Sequence, residues 1–313
     1  MSSSAEILPV PALKNILFAT DFSPCSQAAL PFLRALAMRY ASTVHVIHVI
    51  APEARTSVPM DKLPELDVEQ IDAESAMQDL LAGDAFQDIA HTATVERGEA
   101  WEVLASLAEE KNADLIVLGT HGRRGLKKLV LGSTAEQIFR HAPCPVLTVG
   151  PQTRNQDMAR DRIAPILFVT DFCSGSQHAL PYAVSLARAN HSRLILLHAV
   201  SPPSVGTLPG SMDTMVVNAE VSAELLADAL AGARRQMAEL ISAETMQELK
   251  PEILIECGAA VEMILSAAEN RQAGLIVMGA HRASLHSVAA HLPWATASAV
   301  VCRAPCPVLT VRS

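Results

Sequence analysis

The sequence has no excess of positive charge and no long apolar run, and each absence excludes a class of protein. A formal net charge of −9 at pH 7, without a basic stripe, argues against a nucleic-acid-binding protein. No apolar run reaches the roughly 18 residues that a membrane-spanning helix needs, and the N-terminal residues lack the pattern of an export signal. The sequence therefore predicts a cytoplasmic protein with no nucleic-acid partner and no membrane partner.

Paired cysteines are also missing. The chain has six cysteines among 313 residues, and none of them has C-x-x-C spacing, so neither a disulfide framework nor a zinc ribbon is indicated. We expect reduced thiols that lie mostly in the core. With half of its residues hydrophobic, a chain of this length is expected to form two domains.

An internal repeat gives the domain organisation. Residues 15–37, NILFATDFSPCSQAALPFLRALA, align with residues 165–187, PILFVTDFCSGSQHALPYAVSLA, at an offset of 150. The terminal sequence HAPCPVLTV, which ends at Val149, returns as RAPCPVLTV, which ends at Val311. We therefore predict domains at residues 1–150 and 163–313, joined by a polar linker at residues 151–162.

Within each copy, short β-branched apolar runs alternate with segments of helical periodicity. This alternation predicts an α/β fold with a mainly parallel sheet of five strands per copy. In the first copy the predicted strands are residues 15–20, 43–49, 92–96, 114–119 and 145–149. The runs are apolar on both faces, so helices are expected on both sides of the sheet. Ser23-Pro24 and the capping-box spacing of Ser133 to Glu136 predict two helix starts.

The loop at residues 119–133, GTHGRRGLKKLVLGS, leads from a predicted strand into a predicted helix. Glycines allow backbone N–H groups to approach a ligand closely, and a helix N-terminus attracts anions. Two arginines and two lysines at residues 123–128 add positive charge to an otherwise acidic protein. The loop therefore predicts a site for a polyphosphate, although a solvated basic surface is the alternative for the four charged residues.

Together these motifs resemble the universal stress protein family over nearly the whole chain, twice. The resemblance is carried by TDFS at residues 20–23, TDFCS at 170–174, VIHVI at 46–50, the 119–133 loop and the two PCPVLTV endings. It implies two Rossmann-like domains of the adenine-nucleotide alpha-hydrolase-like type, each a five-stranded parallel sheet. Some family members bind ATP and others do not, and the glycine loop separates the two groups.

The resemblance also implies a set of nucleotide-binding residues. Asp21 and the backbone of Val49 would lie beside the adenine and ribose. The ribose and phosphates would be held by Gly119, His121, Gly122, Gly132, Ser133 and Thr134, with Mg²⁺ accompanying ATP. The alternatives are an ordinary strand-to-helix connection for the glycines and Ser133, a turn carboxylate for Asp21, and simple exposure for His121.

The second copy departs from this pattern. Gly279 is followed by Ala280, His281 and Arg282, so an arginine stands where Gly122 stood, and residues 292–294, LPW, replace Gly132-Ser133. Side chains and a proline would block backbone approach, so the second copy is predicted not to bind ATP through this loop, although Asp171 is kept. His48 and His198 recur at equivalent strand positions, which favours hydrogen-bonded core histidines over metal ligands.

The resulting functional hypothesis is a cytoplasmic universal stress protein that binds ATP in its first domain and has a nucleotide-dependent regulatory role. No catalytic residues are predicted, since no nucleophile, base and orienting group can be named, and at most weak ATP hydrolysis is expected. A slow adenine-nucleotide hydrolase or phosphotransferase and a structural stress protein without nucleotide are the alternatives.

The predicted partners are the adenine nucleotide and protein clients that the sequence does not identify. Family domains pair through their last strands, so the repeated PVLTV strands predict a pseudo-dimer of the two domains within one chain. A homo-oligomer remains a further possibility, and residues 200–256 are the predicted partner surface.

Overall fold

The computed structural model describes residues 13–52, 63–120, 131–154, 164–201, 219–280 and 291–312. Most of the predicted linker, at residues 151–162, lies outside these ranges. The strands of the first half are β1 Asn15–Ala19, β2 Thr43–Ile50, β3 His91–Arg97, β4 Leu115–Gly119 and β5 Val146–Val149. Those of the second half are β6 Ile166–Val169, β7 Leu194–Val200, β8 Glu252–Cys257, β9 Leu275–Ala280 and β10 Val308–Arg312.

Helices connect the strands in both halves. In the first half they are α1 Pro24–Gln27, α2 Leu30–Tyr40, α3 Leu63–Leu81, α4 Ala100–Glu110 and α5 Ser133–His141. In the second half they are α6 Ser174–Ala189, α7 Ala219–Leu240, α8 Ala243–Leu249, α9 Ala260–Asn270 and α10 His291–Arg303. Within the described ranges, no helix combines the length and the apolar character that crossing a membrane requires.

The strands form one sheet in the order β3-β2-β1-β4-β5-β10-β9-β6-β7-β8. Each half contributes five parallel strands with the same internal order. This confirms the predicted α/β fold with five-stranded parallel sheets, and the predicted strands of the first half agree with the observed ones to within one residue at each end.

Helices cover both faces of the sheet, as the two-sided apolar strands predict. On β1, Ile16 and Phe18 face one core layer and Leu17 faces the other, because successive strand side chains alternate. The first layer contains buried residues of α2, α3, α6 and α7. The second contains buried residues of α4, α5, α9 and α10. Both layers run across the two halves, which therefore share a continuous core.

The halves meet where β5 pairs antiparallel with β10. Leu147 lies opposite Leu309 at the centre of this seam, which spans three residue pairs. Thr148 Oγ1 donates to the carbonyl of Val308 at 3.1 Å, and Thr310 Oγ1 donates to that of Val146 at 3.2 Å. The last strands of the two copies thus pair as the repeat predicts, and each shields the other's edge.

One of the two predicted helix starts is confirmed and the other is wrong. Ser23 caps α1, its Oγ accepting from the Ser26 N–H at 3.2 Å, with Pro24 at the first helical position. The Ser133–Glu136 capping box does not form, because Gly132 is the N-cap of α5. The Gly132 N–H donates to the Thr120 carbonyl at 3.0 Å, which fixes Gly132 in the cap position and makes Ser133 the first helical residue.

The cysteine prediction is partly wrong. All six are free thiols, but only Cys302 and Cys306 are buried, whereas Cys173 and Cys257 are exposed. The spacing of cysteines in a sequence does not show whether a given thiol is buried or exposed.

Candidate functional site

The predicted site residues surround the point where the strand order reverses in the first half. From β1 the chain runs to β2 on one side, whereas β4 pairs with β1 on the other side. Ala19 is in register with both Ile47 of β2 and Leu118 of β4, so the carboxyl ends of the three strands lie at one edge. In open α/β sheets, ligands bind in the crevice at this reversal.

Asp21 follows β1 directly and is half-buried. Its Oδ1 accepts from the Ser23 N–H at 3.0 Å, an Asx turn that orients the carboxylate before α1 begins. One residue earlier, the Thr20 N–H donates to the Ile47 carbonyl at 2.9 Å and extends the sheet to the base of the crevice. The position of Asp21 is thus fixed by backbone bonds on both of its sides.

His48 supports this turn from below and is 7% exposed. Its Nδ1 lies 2.8 Å from the Thr20 carbonyl, which can only accept, so Nδ1 carries the proton. The equivalent His198 is 2.8 Å from the Thr170 carbonyl. The prediction of a hydrogen-bonded core histidine is confirmed for His48, whereas His198 makes the same bond but is half-buried.

Phe22 was not identified from the sequence, although it fixes the geometry of the turn. It has a φ of 61°, and its ring packs on His48 with a centroid distance of 4.5 Å. Phe172 repeats the arrangement with a φ of 62° and 4.3 Å to His198. Bulky residues rarely adopt the left-handed region, and they cost on the order of 1–3 kcal/mol there. The repeat of T-D-F followed by a histidine 28 residues after the threonine was the available signal.

Val49 turns its backbone toward the crevice. The Ile47 carbonyl accepts from Thr20 beyond the end of β1, whereas the Ile50 carbonyl accepts from Gly98 on the β3 side. Backbone groups alternate in direction along a strand, so those of Val49 point to the β1 side, as those of Ile47 do. The β1 register ends at Ile47, and the Val49 amide and carbonyl therefore lie past the last ladder bond, above Thr20.

Gly119 ends β4, and close helix packing explains why it is glycine. A Cβ there would lie 2.9 Å from the carbonyl carbon and oxygen of Cys25 in α1. Gly279 repeats this, since its Cβ would lie 2.3 Å from the Gly175 carbonyl carbon in α6. Close backbone approach thus occurs in both halves, and Gly119 does not distinguish them.

The N-terminus of α5 provides the other wall of the site. Gly132 is half-buried, and Ser133 and Thr134 are exposed. No side chain caps this helix within the described part of the chain. The amides of Ser133, Thr134 and Ala135 have no intrahelical acceptor, and the helix dipole adds partial positive charge at this end. The arrangement can accept an anion from the direction of the β4 end.

His121 and Gly122 lie outside the described residues, as do the four basic residues at 123–128. The structure therefore places Asp21, Val49, Gly119 and the Gly132–Thr134 helix start at the edge formed by the carboxyl ends of the first-half strands.

The second half preserves one end of this site and alters the other. Asp171 Oδ1 accepts from the Cys173 N–H at 3.0 Å, as Asp21 does from Ser23. Partial desolvation and the neighbouring Asp171 raise the pKa of the exposed Cys173 thiol, so the thiol that replaces Ser23 stays protonated near neutral pH.

The difference lies at the helix start. Helices α5 and α10 end at equivalent positions, His141 and Arg303, but α10 has 13 residues and α5 has nine. The additional four residues extend α10 by about 6 Å at its N-terminus. In the second half, helix therefore occupies the position that Gly132 and the preceding residues hold in the first.

Among the described residues, no group of three or more His, Cys, Asp or Glu side chains is placed to hold a metal ion. The described side chains around the crevice supply one carboxylate, Asp21, and hydroxyl and amide groups. Such a set can bind a polar organic ligand and its anionic part.

Comparison with known proteins is consistent with the repeat. A universal stress protein A homologue of Coxiella burnetii is 38% identical over 148 residues, covering 44% of this chain and 95% of the relative. A Mycolicibacterium smegmatis universal stress protein is 26% identical over 274 residues, covering 85% and 87% of the two chains. The crystal structure of an Archaeoglobus fulgidus universal stress protein has a TM-score of 0.66 at 21% identity, covering 95% and 96%.

The sequence profile of the universal stress protein family matches the chain twice, at residues 12–150 and 163–312. Together with the ten-stranded sheet of two equivalent halves, these matches show that the chain belongs to the universal stress protein family and carries two copies of its domain in tandem.

Proposed function

We propose that the first half of the chain binds ATP at the carboxyl ends of β1 and β4, and that the protein is a cytoplasmic stress-response regulator controlled by this nucleotide. Family membership alone does not decide the matter, since the family includes members with and without ATP. The observation that carries the proposal is the difference between the halves: the same turn follows β1 and β6, but only α5 begins at a glycine beside the crevice.

The base and sugar would bind at the β1–β2 end. The Val49 amide and carbonyl face this space as a donor and an acceptor, which suits the edge of an adenine ring. Asp21 is held by the Ser23 amide with its carboxylate at the crevice, where it can accept from a ribose hydroxyl.

The phosphates would bind at the β4–α5 end. Three first-turn amides and the helix dipole face this region, and Gly132 presents no side chain that would block approach. The described residues fit a nucleotide in this respect. Mg²⁺ would accompany the triphosphate, whose oxygens it prefers, with water completing its coordination.

A regulatory role is supported by the core layer to which α5 belongs. Its buried residues Ile138 and Phe139 share a core layer with Val300 and Val301 of α10 and with Val146 and Val308 of the seam. A ligand that fixes the start of α5 therefore acts on a helix whose core layer continues across the junction of the two halves.

The test is calorimetric titration of the protein with MgATP, with Asp21→Asn and the matched control Asp171→Asn. Both substitutions weaken the same kind of Asx turn, because each aspartate accepts from the amide two residues later at 3.0 Å. We expect one site per chain, about tenfold weaker binding in Asp21→Asn from the loss of one charged hydrogen bond, and unchanged binding in Asp171→Asn.

Absence of binding by the native protein would refute the proposal. If Asp21→Asn and Asp171→Asn weaken ATP binding equally, Asp21 does not contact the nucleotide directly, and the site does not lie at the first-half turn. Measurement of released ADP during the same titration tests the alternative of a slow hydrolase.

A further inference from the structure

We propose that the protein has a second ligand site, an apolar pocket between the two halves that binds an aliphatic chain. The pocket lies on the face of the sheet covered by α2 and α6, above Leu147 and Leu309 of the seam. None of its lining residues belongs to the candidate nucleotide site. The proposal is independent of ATP binding.

The lining is built from matched positions of the two copies. Phe32 and Leu36 of α2 correspond to Tyr182 and Leu186 of α6 at the repeat offset of 150. Leu115 corresponds to Leu275 at an offset of 160, and Leu147 to Leu309 at an offset of 162, because the second copy is longer between these segments. The pocket therefore straddles the pseudo-two-fold axis and exists only because the two halves are paired.

Its chemistry selects an apolar occupant. Of the 14 lining residues, only Tyr182 and Asn190 have polar side chains, and the cavity volume is about 40 Å³. This is several times the roughly 10–15 Å³ that one water requires, but a buried water also needs two to four polar partners, and apolar cavities bind hydrocarbons instead. An unbranched chain of a few methylenes fits this size better than a bulky ring system does.

The two ends of the pocket differ, which gives the occupant a direction. At one end the hydroxyls of Tyr40 and Ser185 are hydrogen-bonded to each other and join α2 to α6. The equivalent pair at the other end is Asn190 and Ala35, and alanine has no hydroxyl with which to make this bond. Both residues line the pocket and are half-buried. Asn190 Nδ2 donates to the Leu186 carbonyl at 2.7 Å, so Asn190 Oδ1 is the atom that can accept from the hydroxyl of a polar head group.

The experiment uses a homologous series of primary alcohols, ethanol, butan-1-ol and hexan-1-ol, titrated into the full chain with ¹³C-labelled leucine methyl groups. Each buried methylene is expected to increase affinity about fourfold, until the pocket is filled. The methyl resonances of Leu36, Leu186, Leu275 and Leu309 should shift, whereas that of the exposed Leu225 should not.

Leu36→Trp, which fills the pocket, and Met38→Trp, which adds the same side chain at a 55% exposed position of the same helix, are the matched variants. We expect at least a tenfold loss of hexan-1-ol affinity in Leu36→Trp and none in Met38→Trp, with circular dichroism confirming that both are folded. The proposal is wrong if the native leucine methyls do not shift, if affinity is independent of chain length, or if folded Leu36→Trp binds as the native protein does. Should Leu36→Trp fail to fold, the chain-length series on the native protein decides alone.

Discussion

Replacement of the strand-end glycines by alanine should destabilise the protein without any ligand, and by different amounts in the two halves. At Gly119 the new Cβ would lie 2.9 Å from backbone atoms of Cys25, so α1 must retreat by about 0.5 Å to reach ordinary contact distance. At Gly279 the distance is 2.3 Å to Gly175, which requires a shift of about 1 Å in α6. In both cases the obstacle is backbone and cannot rotate away.

Overpacking of this kind costs about 1–3 kcal/mol, and alanine returns about 0.4–1 kcal/mol through the unfolded chain. We therefore expect a net loss of about 1 kcal/mol for Gly119→Ala and about 2 kcal/mol for Gly279→Ala. For halves of this size, each kcal/mol lowers the melting temperature by about 2–4 °C. The assay is thermal and urea unfolding of each variant in the absence of nucleotide, followed by circular dichroism.

Gly232→Ala is the control with the opposite sign. Gly232 lies inside α7, and the nearest atom to its new Cβ would be Arg235 Nη2 at 3.9 Å, so alanine should stabilise the helix by up to about 1 kcal/mol. If Gly119→Ala and Gly279→Ala unfold at the native midpoint, or if Gly119→Ala is the more damaging, the close helix–strand packing inferred from these distances is incorrect.

Three further predictions concern the seam, the α2–α6 helix pair and the buried thiol of Cys306. Thr148→Val keeps the shape of the side chain but removes its donor to the Val308 carbonyl, and we expect a loss of about 1–2 kcal/mol in urea unfolding; no loss would mean that the seam does not depend on this bond. Tyr40→Phe and Ser185→Ala should show a coupling of about 0.5–1.5 kcal/mol in a double-mutant cycle, because their hydroxyls bond to each other, and strict additivity would contradict that bond. Burial raises the pKa of Cys306 from 9.0 to about 12, so its contribution to stability is complete below pH 9 and is lost as the pH rises toward 12. The urea midpoint should therefore fall more steeply between pH 8.5 and about 10.5 in the native protein than in Cys306→Ala, and parallel curves would exclude the effect.

The repeat made much of the fold predictable. Because the second copy repeats apolar runs of the first, the β-strand pattern of residues 15–19 and 166–169 is supported twice, and the seam follows from the shared PVLTV endings. The same comparison placed Asp21 and the Gly132 region at neighbouring strand ends.

What the sequence did not reveal depends on contacts between distant segments. Ser133 has the spacing of an N-cap, but the Thr120 carbonyl binds the Gly132 amide and moves the helix start by one residue. Gly119 resembles a ligand-binding glycine, yet the backbone of Cys25 lies against it. Phe22 adopts a left-handed conformation that the propensity of phenylalanine does not predict. Its ring packs against His48, which is 26 residues away in the sequence.

The seam between β5 and β10 also affects how far the sequences of the two halves can diverge. When separate identical chains pair, both surfaces carry one sequence, and association depends on protein concentration. Here the two strands are encoded separately and are tethered in one polypeptide, so that they meet at a high effective concentration however dilute the protein is. Each half can therefore change in sequence without losing its partner. Tyr40 of the first half corresponds to Asn190 of the second, and the nine-residue α5 corresponds to the 13-residue α10. The pairing of the two halves is intramolecular, so it forms within each chain and does not require two chains to meet.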